Sequence, residues 1–122
     1  MVVGIGDGYA RLRDALVRAA KEIVVGDGTD ERTSMGPVIS AEARERITRA
    51  IDLGEQEGGT VLVDGRGHQV PSRPGGFWLG PTIIEGVESH MTLAKEEVFG
   101  PVMTQAYGQT EVPTSVAYMS PK

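Results

Sequence analysis

Glycine constrains the fold of this chain more than any other residue type does. The 122 residues include 17 glycines, which are scattered along the sequence and follow no regular period. Because glycine adopts backbone conformations that other residues avoid, this distribution indicates many tight turns and loop crossings. The pattern is typical of an α/β domain whose elements are joined by short connections. A chain of this length has room for one such domain at most.

Two stretches between the glycines have the apolar periodicity of amphipathic helices. The first covers residues 9–23, and the second follows Ser40, whose hydroxyl suits an N-cap. The predicted buried faces are Leu12, Ala15, Leu16, Ala19 and Ile23 in the first helix, and Ala43, Ile47, Ala50, Ile51 and Gly54 in the second. Charged residues occupy the other faces, so each helix is expected to pack one side against a sheet.

Short apolar and β-branched runs supply the strands of that sheet. The candidates are residues 2–5, 60–63, 77–79, 82–84 and 102–107, with one helical turn expected at residues 91–94. The run at 60–63 directly follows the second helix, and a helix-then-strand order favours parallel pairing. The sequence therefore predicts an α/β fold with a partial parallel sheet and two amphipathic helices.

The chain divides into two regions of unequal regularity. Residues 1–107 carry all the predicted elements, whereas residues 108–122 have no sustained helical or strand period. We therefore predict one domain over 1–107 and a divergent, poorly ordered tail over 108–122.

Composition and charge exclude several classes of function. A formal net charge of -5, with arginines beside acids, provides no basic patch for a nucleic acid. No apolar run approaches the roughly twenty residues that cross a bilayer, and no signal-peptide pattern opens the sequence, so a cytoplasmic location is expected. The absence of cysteine excludes disulfides, thiolate metal sites and a cysteine nucleophile within this chain.

Two short motifs imitate ligand sites without meeting their requirements. Gly4, Gly6 and Gly8 suggest a dinucleotide fingerprint, but the third glycine should stand three residues after the second, so a turn is the better interpretation. The segment that begins at Asp27 resembles a calcium loop, yet Arg32 occupies its glycine position and no acid ends it. We therefore expect neither site.

The histidines and the adjacent aromatic pair have ordinary structural interpretations. His68 and His90 stand alone in polar loops without a second ligand at metal-binding spacing, which favours solvent exposure. Phe77 and Trp78 can line a pocket, but core or interface packing is the preferred interpretation for both.

Four landmarks that occur in a fixed order carry more information than any single motif. They are residues 26–30 (Gly-Asp-Gly-Thr-Asp), 35–40 (Met-Gly-Pro-Val-Ile-Ser), 80–83 (Gly-Pro-Thr-Ile) and 91–102 (Met-Thr-Leu-Ala-Lys-Glu-Glu-Val-Phe-Gly-Pro-Val). In this order the chain resembles the catalytic domain of the aldehyde dehydrogenase superfamily, of which it would be a fragment. The loop at 64–77 and the segment at 6–14 are most similar to the CoA-acylating methylmalonate-semialdehyde dehydrogenases. The stretch at 91–97 is equally similar to the hydrolytic branch, so both branches stay open.

The resemblance assigns roles to two residues of the segment 95–102, here called the glutamate box. In the family, the second glutamate of this box, Glu97 here, binds the hydroxyls of the nicotinamide-side ribose of NAD. Phe99 matches the aromatic residue beside the nicotinamide ring. Without the resemblance, a surface acid and a core aromatic are the alternative interpretations.

The resemblance also implies a reaction that this chain alone is not expected to perform. In the family a cysteine attacks the aldehyde substrate, hydride passes to NAD, and the thioester is released to CoA or to water. Both the cysteine and most of the NAD site belong to segments that precede this one in the family. The alternatives are a small interaction protein, which associates with itself or a full-length relative through uncovered apolar surface, and a degenerate gene product.

Overall fold

The computed structural model describes residues 2–4, 8–95 and 116–121, which contain both helices and short strands. The elements are β1 (Val2–Gly4), α1 (Gly8–Glu22), α2 (Ala41–Gln56), β2 (Thr60–Val63), β3 (Thr82–Glu85), α3 (Thr92–Lys95) and β4 (Val116–Pro121). Both predicted amphipathic helices and the predicted strands at 60–63 and 82–84 are confirmed. The stretch at 77–79 is not a strand. The candidate at 102–107 lies outside the described residues.

The strands form one four-stranded sheet in the order β1-β4-β3-β2. β4 pairs in parallel with both β1 and β3, which confirms the partial parallel sheet. β2 instead pairs antiparallel with β3. A parallel pair needs a long crossover, usually a helix, and residues 64–81 contain none, so β3 returns alongside β2 in the opposite direction.

α2 packs on one face of the sheet with the predicted set of residues. Ser40 caps the helix by accepting a hydrogen bond from the Ala43 amide at 3.1 Å. Ala43, Ile47, Ile51 and Gly54 are buried, and Ala50 packs against the same cluster. The central contact on the sheet is Ile84, which is completely buried. Helical periodicity alone was therefore sufficient to identify this face.

α1 packs on the other face of the sheet, against Ile83, because adjacent residues of a strand point to opposite faces. Its predicted face needs a correction. Ala15 and Ala19 are exposed, and the packed side chains are Tyr9, Leu12, Leu16, Val17 and Ala20. Turning the helix in this direction covers Val17, whose larger side chain removes more apolar surface from water than an alanine does.

A charged network ties α2 to the turn that follows β2. The Arg66 guanidinium donates to the Asp64 carboxylate through Nε at 2.9 Å and Nη2 at 2.6 Å. Its Nη1 lies 2.5 Å from Asp52 and 2.6 Å from Glu55, both of which are on α2. Hydrogen bonding to Asp64, reinforced by the two α2 acids, raises the pKa of Arg66 and so keeps its charge in place.

The last strand falls in the region for which the sequence predicts little order. β4 occupies Val116–Pro121, between β1 and β3, while the rest of 108–122 lies outside the described residues. Strand pairing uses backbone groups, which every residue other than proline supplies in full, so a strand can form where the side chains have no apolar period. For this reason the sequence pattern did not predict β4. No helix within the described part of the chain is long and apolar enough to cross a membrane.

Candidate cofactor-binding site

The candidate cofactor residues follow directly on the last described helix. Glu97 and Phe99 lie outside the described residues, and Glu97 comes two positions after Lys95, where α3 ends. The geometry that bears on the site is therefore that of α3 and of the groups that hold it.

α3 is anchored in the hydrophobic core by the residues at its start. Met91 and Leu93 are both buried in the cluster that α2 forms with the sheet. Leu93 lies directly against the backbone of Gly54 in α2, where a Cβ atom would collide with its side chain. The α2 glycine thus provides the space that α3 occupies.

A carboxylate from the end of α2 holds the first residue of α3. Glu57 accepts a hydrogen bond from the Thr92 amide at 2.7 Å and another from the Thr92 hydroxyl at 2.6 Å. The Thr92 amide is among the N–H groups that a helix start leaves without an intrahelical partner. The Thr92 hydroxyl is the largest cause of a lowered pKa for Glu57, and His90 and Lys95 lower the pKa further by their charge.

Sequence reasoning missed Glu57, although the chain contains a signal that points to it. Glu57 is the C-cap of α2, whose last turn contains no basic residue. A carboxylate there is unfavourable, because the C-terminal end of a helix carries partial negative charge. A side chain that breaks a local rule commonly has a compensating contact elsewhere, and here the partner is Thr92, 35 positions along the chain.

The two histidines, both predicted to be exposed to solvent, have different environments. His90 is exposed, and its imidazole Nδ1 lies 3.3 Å from Glu88 Oε2, whereas His68 is half-buried near Gly80. Across the described residues, no three histidine or acidic side chains are grouped in a way that would hold a metal ion.

A cleft of about 460 Å³ lies between the loop at 27–37 and the loop at 72–78. Its walls include Asp27, Pro37, Arg73 and Trp78. Arg73 Nε donates to Asp27 Oδ2 at 2.6 Å, and the Trp78 indole donates to the Arg73 carbonyl at 2.7 Å. The first bond joins the two loops, and the second lies within the loop at 72–78.

The Asp27 carboxylate has local partners as well as Arg73. Both the amide and the hydroxyl of Thr29 donate to Asp27 Oδ1, at 2.9 and 2.7 Å. These bonds are the main reason that the pKa of Asp27 falls to about 2, with Arg73 adding to the effect. The residue therefore closes a turn and joins two loops.

The adjacent aromatic residues have different environments. Trp78 is buried, in agreement with the predicted core or interface packing. Phe77 is 37% exposed and is not part of the core of this chain. The Phe77 carbonyl accepts a bond from the Val38 amide at 2.9 Å, which places the Phe77 backbone beside the highly exposed Ile39.

The chain combines parallel strands, helices on both faces of a sheet and landmarks in a fixed order. Together these features indicate a single family of α/β proteins. The sequence model described as the aldehyde dehydrogenase family matches residues 6–111, and the chain belongs to that family. The glutamate box falls within the matched region.

Individual relatives carry semialdehyde dehydrogenase names. The chain is 44% identical to the acylating mitochondrial methylmalonate-semialdehyde dehydrogenase of Arabidopsis thaliana over 102 residues, which are 84% of this chain and 17% of that protein. It is 38% identical to the malonate-semialdehyde dehydrogenase of Halalkalibacterium halodurans over 104 residues, 85% of this chain and 21% of the relative.

A solved structure shows the same relation at the level of the fold. The putative methylmalonate-semialdehyde dehydrogenase of Sinorhizobium meliloti, in complex with NAD, superposes with a TM-score of 0.80 at 30% identity. The match covers 98% of this chain and 22% of that one. The chain thus spans about a fifth of the length of the relatives it matches.

Proposed function

We propose that this chain forms the ribose-binding part of the NAD site of an aldehyde dehydrogenase of the methylmalonate-semialdehyde type. Glu97 would accept hydrogen bonds from the two hydroxyls of the nicotinamide-side ribose, and Phe99 would lie against the nicotinamide. The observation that carries the proposal is the family match over residues 6–111, which includes both positions.

The chemistry of Glu97 fits this role. A carboxylate offers two acceptor oxygens to two neighbouring hydroxyl donors, and such charge-assisted pairs are among the stronger hydrogen bonds in proteins. Fixing the sugar limits the orientation of the attached ring, and a rigid aromatic side chain such as Phe99 limits it further. NAD would supply the hydride acceptor, while these residues bind and orient it.

Oxidation of a semialdehyde to its acyl-CoA is the reaction we propose for the complete enzyme, with CoA as the co-substrate. That reaction needs a cysteine thiolate, and this chain has no cysteine. We therefore propose that the 122 residues alone do not reduce NAD with any aldehyde. One ribose contact offsets little of the freedom lost on association, so NAD binding by the isolated chain is weak.

Saturation-transfer NMR of NAD ribose protons tests this proposal. We expect a weak signal with the wild-type chain and a loss of affinity of about tenfold in Glu97→Gln, because the amide lacks the charge and one acceptor. Glu96→Gln makes the same change one position earlier and is the matched control. Equal binding by Glu97→Gln and the wild type would contradict the ribose role. Steady NAD reduction with an aldehyde would contradict the proposed inactivity.

A second candidate function is association through exposed apolar surface, either with another copy of the chain or with a full-length dehydrogenase. Ile39 is 89% exposed, and the neighbouring Phe77 is also partly open to water. Isolated exposed apolar residues are ordinary, whereas contiguous apolar patches mark association sites, so this candidate function requires Ile39 and Phe77 to belong to one patch.

A further inference from the structure

We propose that Glu57 is a positioning residue that helps to place the Glu97 carboxylate by holding the start of α3. The inference rests on the proposed function of Glu97. It adds a residue of α2, outside the box, to the machinery that presents the ribose-binding carboxylate.

Glu57 holds Thr92 strongly. Both oxygens of the Glu57 carboxylate are engaged, each with a different donor of Thr92, at 2.7 and 2.6 Å. Two bonds from one residue fix both the position and the orientation of that residue. Because the acceptor is charged, each bond is stronger than a neutral pair of the same length.

The stability of α2 does not explain the presence of a carboxylate at position 57. A carboxylate at the C-cap opposes the helix dipole, so Glu57 makes α2 less favourable at its own position. Its contacts benefit α3, which has only four residues and is too short to be stable alone. The arrangement therefore serves the segment that α3 begins.

Thr92, the partner of Glu57, is close in sequence to Glu97. Buried Leu93 and the held Thr92 fix the start of α3, and the helix ends at Lys95. Glu97 follows two residues later, and two residues of chain span at most about 7 Å. Displacing α3 by a few ångströms would thus displace the anchor of the ribose carboxylate by a comparable amount.

Hydrogen exchange of the full chain tests whether Glu57 holds α3. We expect Glu57→Gln to raise amide exchange at residues 92–95 by roughly tenfold, with the exchange of α1 unchanged. Thr92→Val, which removes the hydroxyl donor and keeps the amide, should give a smaller rise over the same residues. Glu88→Gln removes a nearby exposed acid and is the control. The absence of a rise at residues 92–95 overturns the inference.

A double-mutant cycle with NAD as the ligand separates positioning from simple loss of structure. If Glu57 acts through Glu97, Glu57→Gln should weaken NAD binding severalfold in the wild-type chain and have no effect in the Glu97→Gln chain. Additive effects would overturn the inference. If Glu97→Gln binds NAD as the wild type does, the proposed ribose role fails, and exchange at 92–95 still decides whether Glu57 holds α3.

Discussion

Tyr9 shows how a single side chain joins two elements that are far apart in the sequence. Its hydroxyl donates to Glu85 Oε1 at 2.7 Å, across 76 positions, and so links α1 to β3. Burial, followed by this hydrogen bond to a carboxylate, raises the pKa of Tyr9 from 10.0 to about 12. The neutral phenol is therefore the form that the folded protein stabilises.

The Tyr9→Phe variant should be less stable by about 1 kcal/mol at neutral pH, because a partly buried hydrogen bond to a charged acceptor is lost. The folded pKa lies above the unfolded one, so the Tyr9 contribution is complete below pH 10 and disappears as the pH rises from about 10 to about 12. Urea unfolding at pH 7 and at pH 11 measures the effect. A difference between wild type and variant that is as large at pH 11 as at pH 7 would contradict the assignment.

The contact between the helices α2 and α3 depends on a glycine, Gly54, at the point where they touch. Gly54 is buried in α2, and Leu93 of α3 occupies the space above it. Glycine inside a helix is unfavourable by about 1 kcal/mol relative to alanine, so its presence here needs a packing reason. The proximity of Leu93 and of Ile84 Cδ1, which would lie 3.3 Å from an added Cβ, provides that reason.

Gly54→Ala should therefore destabilise the chain by about 1 kcal/mol. Overpacking a core costs roughly 1–3 kcal/mol, which exceeds the gain of about 1 kcal/mol in helix propensity. Gly8→Ala at the start of α1 is the matched control, because an added Cβ there meets nothing within 4 Å. Chemical denaturation of both variants decides the point, and a stabilised Gly54→Ala would show that α3 does not pack as described.

Among the described residues, the two faces of the sheet are covered unequally. In this part of the chain the α2 side contains nine buried residues in one cluster, whereas the α1 side contains two buried residues with partly buried neighbours. Ile39 stands on the loop between the helices with 89% of its surface exposed. The chain therefore keeps apolar surface in water that association would cover.

If the second candidate function is correct, Ile39→Ser should weaken self-association by tenfold or more. Burial of an isoleucine side chain contributes about 1.5–3 kcal/mol, and each 1.4 kcal/mol corresponds to roughly a factor of ten. Sedimentation over a range of protein concentrations measures the effect. The free energy of unfolding should stay unchanged, since the side chain is already exposed. A wild-type chain that remains monomeric at every concentration would count against self-association.

The predictions that succeeded depend on short stretches of chain. The α2 face from Ala43 to Gly54, the Ser40 cap and the strand Thr60–Val63 all follow from residues within a few positions of one another. The landmark order likewise indicated the family that the match over residues 6–111 shows. The α1 face was misjudged, because the helical period leaves its exact rotation to the packing of Val17 and Ala20.

Local periodicity in the sequence determined where the helices form. The short connections that the glycine distribution predicted were wrong for residues 23–40 and 64–81, which join their elements through long loops. Only the tertiary structure decided that β2 runs antiparallel to β3, and that Glu57 holds Thr92 and Tyr9 holds Glu85. The physical reason is range. Helix propensity and capping act over about one turn, whereas the two side-chain contacts join residues that are 35 and 76 positions apart, and only the packed sheet and helices bring them together.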